Sequence, residues 1–259
     1  MAIPSYLPQQ ANIRACHLLE GLTDESGNNY TLTNNNGVQF VAGLINNCAD
    51  FGTANTDKSL SITNDLGIPG TAMTESALIK IRSQITTGVW MMQNQGDYST
   101  QVYQRYYYDY NAGNYRINFN RAPRGISNQV ASYYIQLKLT EWYHIVYVYD
   151  GSNIWGFVNN NKTSLVASTQ NGAGTVHPDG YSIGADNQDN VDYASAYIDE
   201  AVVWNIALTD TEVANLYAEY EKKMKPTAGF FHWFFSEAWQ KHDKLWIPKL
   251  ILPKEEYSY

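Results

Sequence analysis

Short stretches in which apolar and polar residues alternate recur along most of this chain, separated by turns rich in Gly, Asn and Asp. In residues 101–110, Tyr106 and Tyr108 fall on one side of the alternation and Arg105 falls on the other. A period of two residues is the spacing of a β-strand, whose successive side chains point to opposite faces. The same alternation recurs in residues 76–83, 115–119 and 134–139. The pattern therefore predicts an all-β fold.

One hairpin is predicted in more detail. Residues 142–149 read WYHIVYVY, which is apolar enough for a central strand that is buried on both faces. The tight-turn signal Asp150-Gly151 follows, and residues 154–158 continue as the return strand. His144 lies inside the first of these strands, so we predict a hydrogen-bonded core histidine at this position and not a catalytic base.

A helical pattern marks the end of the β-domain. Apolar residues recur at helical spacing between Val213 and Tyr220, behind the helix-start signal Thr209-Asp210. The charged run at 221–226 ends in a proline and indicates a boundary. We therefore assign an N-terminal arm to residues 1–14, the β-domain to 15–220 and a C-terminal extension to 221–259.

The C-terminal extension is too aromatic for a solvent-exposed linker, because it holds four of the eight Phe and three of the seven Trp. Exposed apolar surface of this kind normally contacts a partner. The candidates are the chain's own β-domain, a symmetric neighbour, a larger particle or a membrane interface. We predict a homo-oligomer or a larger protein assembly, formed through Phe230, Phe231, Trp233, Phe234, Phe235, Trp239 and Trp246.

Charge and composition exclude several function classes. A formal net charge of -8 argues against nucleic acid, which requires a basic face to displace phosphate counterions. No apolar run is long enough to span a membrane, and the N-terminus lacks the features of a secretory signal peptide. Together with the Asn- and Tyr-rich body and the aromatic tail, these features predict a protein of a virion or another surface assembly.

Cysteine and histidine supply no recognisable framework or metal motif. Cys16 and Cys48 are too few for a disulfide framework, which leaves either two small buried residues or a single bridge. The five His are scattered, and none has a metal-ligand spacing such as His-x-x-x-His.

Four separated segments resemble, in order, the pattern of the laminin G-like jelly-roll. They are an acidic Ser-Gly-Asn turn with the strand after it, a pair of strands, the hairpin described above, and a closing strand with a helix start. The resemblance implies a concanavalin A-like sandwich of two antiparallel sheets, one of them with a concave face. The segments lie at residues 24–32, 41–62, 140–159 and 181–209.

This family includes lectins, adhesion modules and glycosidases, so the fold does not decide the function. Glycosidases of this architecture place carboxylates at alternating positions of one concave strand, and no Glu-x-Asp-x-Glu or Glu-x-Asp-x-x-Glu run is present. We therefore assign no catalytic residue and predict a non-catalytic module that binds a glycan or cell-surface polysaccharide. Two alternatives stay open: a purely structural decoration or assembly protein, and a glycoside hydrolase whose carboxylates come from different strands.

The resemblance also implies a structural calcium ion where the opening turn meets the closing strand. On this sequence its ligands are Asp24, Asn28 and Asp199. The alternative is that Asp24 and Asn28 shape the turn through side-chain to backbone hydrogen bonds and that Asp199 caps a hairpin. A second acidic cluster is either a calcium loop beside a sugar or a solvated loop, and it comprises Asp186, Asn187, Asp189, Asn190 and Asp192.

Sugar recognition requires aromatic rings for the apolar ring faces of the sugar, and amides or charged groups for its hydroxyls. Residues of both kinds occur in or beside strands that could line the concave face. As ligand-binding residues we predict Trp90, Arg105, Tyr106, Tyr108, Tyr115 and Asn118.

Overall fold

A computed structural model describes most of the chain. The described residues are 2–53, 56–62, 66–68, 71–83, 87–95, 102–111, 114–123, 130–139, 141–167, 180–185 and 192–225. The chain divides into two units, residues 1–224 and 225–259. All the predicted partner-binding aromatics of the extension lie outside the described residues, as do Asp186, Asn187, Asp189 and Asn190 of the second acidic cluster.

The structure confirms the all-β prediction. After a 3-10 turn at Gln10–Asn12, the strands run in chain order as follows: β1 Ile13–His17, β2 Thr33–Asn35, β3 Gln39–Ala42, β4 Asn47–Asp50, β5 Ser59–Ile62, β6 Met73–Ile81, β7 Thr87–Gln95, β8 Val102–Asn111, β9 Asn114–Pro123, β10 Val130–Ile135, β11 Tyr143–Tyr149, β12 Asn153–Val158, β13 Asn161–Lys162, β14 Val166–Ala167, β15 Tyr181–Ile183 and β16 Ala196–Trp204. A helix, α1, follows at Asp210–Met224.

The strands form two sheets in which every pair described is antiparallel. The nine-stranded sheet has the order β13-β12-β11-β6-β16-β4-β3, with β1 added to β16 and β14 to β12. The seven-stranded sheet has the order β10-β9-β8-β7-β15-β5-β2. Two antiparallel sheets packed face to face, with one closing helix, make a jelly-roll sandwich of the predicted class.

The apolar core lies between the sheets, and a second apolar layer covers the outside of the nine-stranded sheet. Strand β11 faces both: Ile145 and Tyr147 belong to the inner core, whereas Val146 and Val148 face the layer that contains α1. This position explains why residues 142–149 are apolar without alternation. The hairpin turn is confirmed as well, since Gly151 has a φ of 96° and Asp150 Oδ1 accepts the backbone N–H of Ser152 at 2.8 Å.

Packing between the sheets leaves little spare volume. Gly156 of β12 lies against the ring of Phe119, which belongs to β9 of the opposite sheet. A Cβ atom at position 156 would lie 2.2 Å from that ring, closer than non-bonded atoms approach. The strand that carries Phe119 is therefore held tightly against the nine-stranded sheet.

The predicted element boundaries differ from the structure in a few places. The strand expected directly after the opening turn starts later, at Thr33, and β10 ends at Ile135 although the alternation continues to residue 139. Strand β1 begins at Ile13 and α1 continues past Tyr220 to Met224, so the two predicted domain boundaries fall inside these elements. No helix in the described part of the chain is long and apolar enough to cross a membrane.

Candidate functional site

The register of β8, β9 and β10 decides which side chains face away from the core on the seven-stranded sheet. Tyr106 pairs with Phe119, and both are buried in the inner core. The neighbouring positions must point the other way, and they pair Tyr107 with Asn118 and Asn118 with Ser132. In the same register Arg116 pairs with Tyr134. We call the resulting set the outer-face site, and it comprises Tyr107, Arg116, Asn118, Asn120, Ser132 and Tyr134.

The outer-face site combines buried amides with a more exposed surrounding. Asn118 is only 1% exposed and Asn120 only 2%, whereas the ring of Tyr134 is 71% exposed. Tyr107, Arg116 and Ser132 are half-buried. The two asparagines, which we call the polar floor, are thus closed to solvent, whereas the Tyr134 ring is open to it. None of the six side chains carries a carboxyl group.

The side-chain oxygens of the two asparagines on this floor differ in their hydrogen bonding. The Ser132 hydroxyl donates to Asn118 Oδ1 at 2.8 Å. Asn120 Oδ1 is buried and has no hydrogen-bond partner among the described residues. An unpaired buried amide oxygen is unusual in a folded protein, since nearly all such groups are satisfied.

The structure corrects the placement of most predicted sugar-binding residues. Trp90, Tyr106, Tyr108 and Tyr115 lie inside the sandwich and are at most 2% exposed. They stack on one another there, with ring centroids 5.0 Å apart for Trp90 and Tyr108. Their rings fill the core and leave no face for a sugar to contact.

The other two predicted sugar-binding residues belong to the outward-facing register. Asn118 is on the outer face, as described above. Arg105 pairs through its backbone with Asn120 of β9 and Met92 of β7, and its side chain lies outside the description. Tyr107, at an odd-numbered position of the same alternation, is the half-buried β8 ring on the outward face.

Comparison with known families identifies the fold. A laminin G family model, described as the Concanavalin A-like lectin/glucanases superfamily, matches residues 54–214. The chain belongs to this superfamily. No curated protein sequence matches the chain.

Solved structures of similar fold include binding domains. One is the binding domain of Paraclostridial Mosquitocidal Protein 1, with 16% identity, a TM-score of 0.57 and coverage of 82% of this chain and 53% of that chain. A second is botulinum neurotoxin type C, whose cell entry depends on interaction with two ganglioside molecules, with 10% identity, a TM-score of 0.59 and coverage of 82% and 52%.

A third similar structure is domain 4 of AbnA, a GH43 extracellular arabinanase from Geobacillus stearothermophilus, in complex with arabinotriose. It has 16% identity and a TM-score of 0.56, and the alignment covers 80% of this chain and 98% of that domain. The chain therefore spans about half the length of the two toxin chains and nearly all of the arabinanase domain. At these identities the likeness shows the fold.

The residues that the superfamily resemblance assigns to calcium make other contacts. Asp24 Oδ1 accepts the backbone N–H groups of Cys16 and Ser26, each at 2.9 Å, and Oδ2 accepts the Ser26 hydroxyl at 2.7 Å and the N–H of Tyr30 at 3.0 Å. Burial alone would raise the pKa of Asp24, but these hydrogen bonds outweigh it and hold the pKa below its usual value. Asn28 Nδ2 donates to the carbonyl of Arg14 at 3.0 Å. Both residues shape the turn.

Asp199 serves a different turn. Its Oδ2 accepts the backbone N–H groups of Leu44 and Ile45, at 3.2 and 3.1 Å, between β3 and β4. Burial raises its pKa to about 8, which favours the neutral carboxyl group at pH 7 in the metal-free protein. Asp24 and Asn28 thus bond to turn backbone, Asp199 Oδ1 has no hydrogen-bond partner among the described residues, and these residues hold no group of three acidic, His or Cys side chains with metal-binding geometry.

The structure also shows the environments of the two cysteines and of His144. Cys16 and Cys48 are both buried and free, as in the first of the two alternatives. His144 is fully buried, and its Nε2 lies 2.9 Å from the Ser76 hydroxyl, which confirms a hydrogen-bonded core histidine. Burial lowers the pKa of His144 to about 3.

Nothing in the sequence pattern indicated a pair of ionisable residues inside the sandwich. Glu75 of β6 and Arg121 of β9 come from opposite sheets, and both are fully buried. Burial raises the pKa of Glu75 to about 8, although the charge of Arg121 lowers it. The pair is enclosed by core tyrosines and is not part of an open site, so it offers no acid and base to a substrate.

Proposed function

We propose that this chain is a non-catalytic carbohydrate-binding module whose ligand occupies the outer-face site. The observation that carries the proposal is an exposed tyrosine ring on β10 near the buried, uncharged amides of the polar floor on the paired strand β9. An aromatic ring contacts the C–H face of a sugar, and amides exchange hydrogen bonds with its hydroxyls.

The comparisons support binding at a coarser level. The similar solved structures include a toxin binding domain, a neurotoxin whose cell entry depends on two ganglioside molecules, and a domain that was solved with arabinotriose. We infer a non-enzymatic role because the described side chains of the outer-face site supply no pair of carboxyl groups for glycoside hydrolysis.

The test combines a glycan array with calorimetric titration of arabinotriose and a sialylated oligosaccharide, each with calcium and with a chelator. We expect binding that does not depend on calcium. Tyr134→Ala should weaken it about tenfold, because the ring loses its contact with the sugar. Leu165→Ala is the matched control, since Leu165 is also exposed, at 55%, but lies outside the outer-face site.

Two results would count against the proposal. If no glycan binds, the proposal is wrong. If Tyr134→Ala and Leu165→Ala weaken binding equally, the ligand does not bind at β10. Release of reducing sugar from a bound polysaccharide would favour the glycosidase alternative.

Display on a virion or another assembly, with the C-terminal extension as anchor, rests on the sequence alone. Deleting residues 226–259 should abolish oligomerisation and assembly, as measured by light scattering, while leaving glycan affinity unchanged. Unchanged oligomers would contradict this part of the proposal.

A further inference from the structure

A second group of outward-facing side chains lies on the nine-stranded sheet, whereas the outer-face site belongs to the seven-stranded one. Tyr197 of β16 pairs with Asp50 of β4 on one side and with Lys80 of β6 on the other. Its neighbour in the strand, Ile198, belongs to the inner core, so Tyr197 and its two partners face outward. Arg82 follows directly after β6 and contacts the Tyr197 ring. We call these four half-buried residues, Asp50, Lys80, Arg82 and Tyr197, the basic cluster.

The Tyr197 ring holds two cations. The guanidinium carbon of Arg82 is 4.8 Å from the centre of the ring, and Lys80 Nζ is 5.9 Å from it. Both distances are within the range of a cation–π interaction. Because β6 and β16 are interior strands of their sheet, the ring and the two charges are held in a fixed place. The cluster therefore creates a local positive potential on a chain whose formal net charge is -8.

Within the described part of the chain, the two cations differ in their acidic partners. Arg82 Nη1 donates to Asp50 Oδ1 at 2.5 Å, whereas Lys80 has no carboxylate within ion-pair distance. Three other lysines each have a carboxylate at 2.6 or 2.7 Å, and these pairs are Lys138 with Glu141, Lys162 with Asp210 and Lys222 with Glu219. The basic cluster therefore carries one positive charge in excess.

The excess charge indicates the chemistry of a ligand. One carboxylate group would neutralise it, and the Lys80 ammonium group has three N–H donors for carboxylate oxygens. A nucleic acid is a poor candidate, because its repeated phosphates would meet the acidic remainder of the chain. On a module that binds carbohydrate, the carboxylate belongs to an acidic sugar.

Building on the proposed function, we propose that the basic cluster is a second carbohydrate site, which selects a sugar with a carboxylate group, such as a uronic acid. Lys80 pairs with that carboxylate, and Arg82 adds to the positive potential. Tyr197 keeps both cations on the same part of the sheet. Asp50 limits the excess to a single charge, which matches a ligand with one carboxylate.

The experiment uses the full chain and NMR titration at low salt with methyl glucuronoside, its neutral methyl ester and acetate. We expect the acid to bind about fivefold more tightly than the ester, because only the acid pairs with Lys80. The preference should shrink at about 0.5 M salt, since screening weakens a partly exposed ion pair. Acetate should bind more weakly than the glucuronoside. Equal binding of the two would mean that the cluster holds any carboxylate, and the sugar assignment would be wrong.

Charge variants test the role of Lys80. In Lys80→Gln the acid and the ester should bind equally, and in Asp50→Asn the preference for the acid should increase, because the cluster gains positive charge. Lys162→Gln is the matched control: Lys162 also lies over an aromatic ring, 4.8 Å from the centre of Trp155, but its charge is paired with Asp210. The control should keep the preference of the unsubstituted protein. An unchanged preference in Lys80→Gln, or a reduced one in Asp50→Asn, would overturn the inference.

The outcomes separate this inference from the proposed function. If neutral glycans bind through Tyr134 but the acid and the ester bind alike, the proposed function stands and the basic cluster is not a sugar site. If the acid is preferred through Lys80 but Tyr134→Ala changes the binding of no glycan, the basic cluster stands and the outer-face assignment fails. If no sugar binds, both proposals fail.

Discussion

Glu75 is a carboxyl group in the middle of an apolar core. It lies on β6 between Tyr147 of β11 and Val203 of β16, and in the described part of the chain neither of its oxygens has a hydrogen-bond partner. Arg121 reaches the same core from the other sheet, with its guanidinium carbon 4.0 Å from the centre of the Tyr149 ring. Because burial raises the pKa of Glu75 to about 8, the group is mostly protonated at neutral pH.

The raised pKa makes the stability of the protein depend on pH. Between the usual pKa of about 4.5 and about 8, the folded state holds a proton on Glu75 that the unfolded state has released. The free energy of unfolding should therefore fall as the pH rises through this window. Glu75→Gln, which imitates the neutral acid, should have a smaller slope in urea unfolding measured at pH 5, 6, 7 and 8.

Asp199 and Glu200 have raised pKa values as well, at about 8 and about 7, and they titrate in the same window. The informative quantity is therefore the difference between the slopes of Glu75→Gln and the unsubstituted protein. Equal slopes would show that Glu75 is ionised in the folded state.

At the residue level, the alternation in the sequence predicted the strands but not which of their two faces points into the core. On β8 the even-numbered Tyr106 and Tyr108 and the odd-numbered Tyr107 are chemically alike, so period two alone could not tell core from surface. The burial of Asn118 and Asn120 on β9 could not be predicted either, because asparagine in a sequence usually indicates a surface position. Only the register with Phe119 and Ile117 resolves the two faces.

Among the elements, α1 has the most explicit start signal. The Thr209 hydroxyl accepts the backbone N–H of Glu212 at 3.2 Å, and Glu212 Oε2 accepts the N–H of Thr209 at 2.8 Å. This reciprocal arrangement is a capping box, which satisfies N–H groups that the first helical turn leaves unpaired. Both residues could be read from the sequence, and the helix was predicted.

Removal of the cap should cost stability without changing the fold. Thr209→Ala should lower the free energy of unfolding by about 1 kcal/mol, since the N–H of Glu212 loses its acceptor. Thr211→Ala is the matched control, because Thr211 is exposed within α1 and alanine favours helix there. Chemical denaturation of both variants measures the difference, and equal values would mean that the capping box contributes nothing.

The strands that the sequence misplaced or missed are short and polar. Strand β2 is Thr33–Asn35 at the edge of its sheet, and β13 is Asn161–Lys162 at the edge of the other. An edge strand with no buried face shows no hydrophobic alternation, so nothing marks it. The strands that bury side chains, such as β6 and β11, were predicted because burial imposes their pattern.

At the scale of the whole molecule, the N-terminal residues join elements from distant parts of the chain. The Tyr6 hydroxyl donates to Glu200 Oε2 at 2.6 Å, and the Tyr220 hydroxyl of α1 donates to the same oxygen at 3.4 Å. Trp204 Nε1 donates to the carbonyl of Pro8 at 2.9 Å, and Leu7 is buried. Local sequence patterns carry no information on contacts of this separation, so residues 1–14 were assigned to an arm outside the β-domain.

These contacts predict that the arm stabilises the sandwich. Tyr6→Phe should lower the free energy of unfolding by about 1–2 kcal/mol, because the buried Glu200 carboxyl group loses a donor. Tyr133→Phe is the control, since the described contacts give its hydroxyl no hydrogen bond. A chain that starts at Ala15 should lose more, as it lacks the buried Leu7 and the pairing of Ile13 with Trp204. If urea unfolding of that shortened chain matches the full-length protein, the predicted boundary before residue 15 is correct and the arm is dispensable.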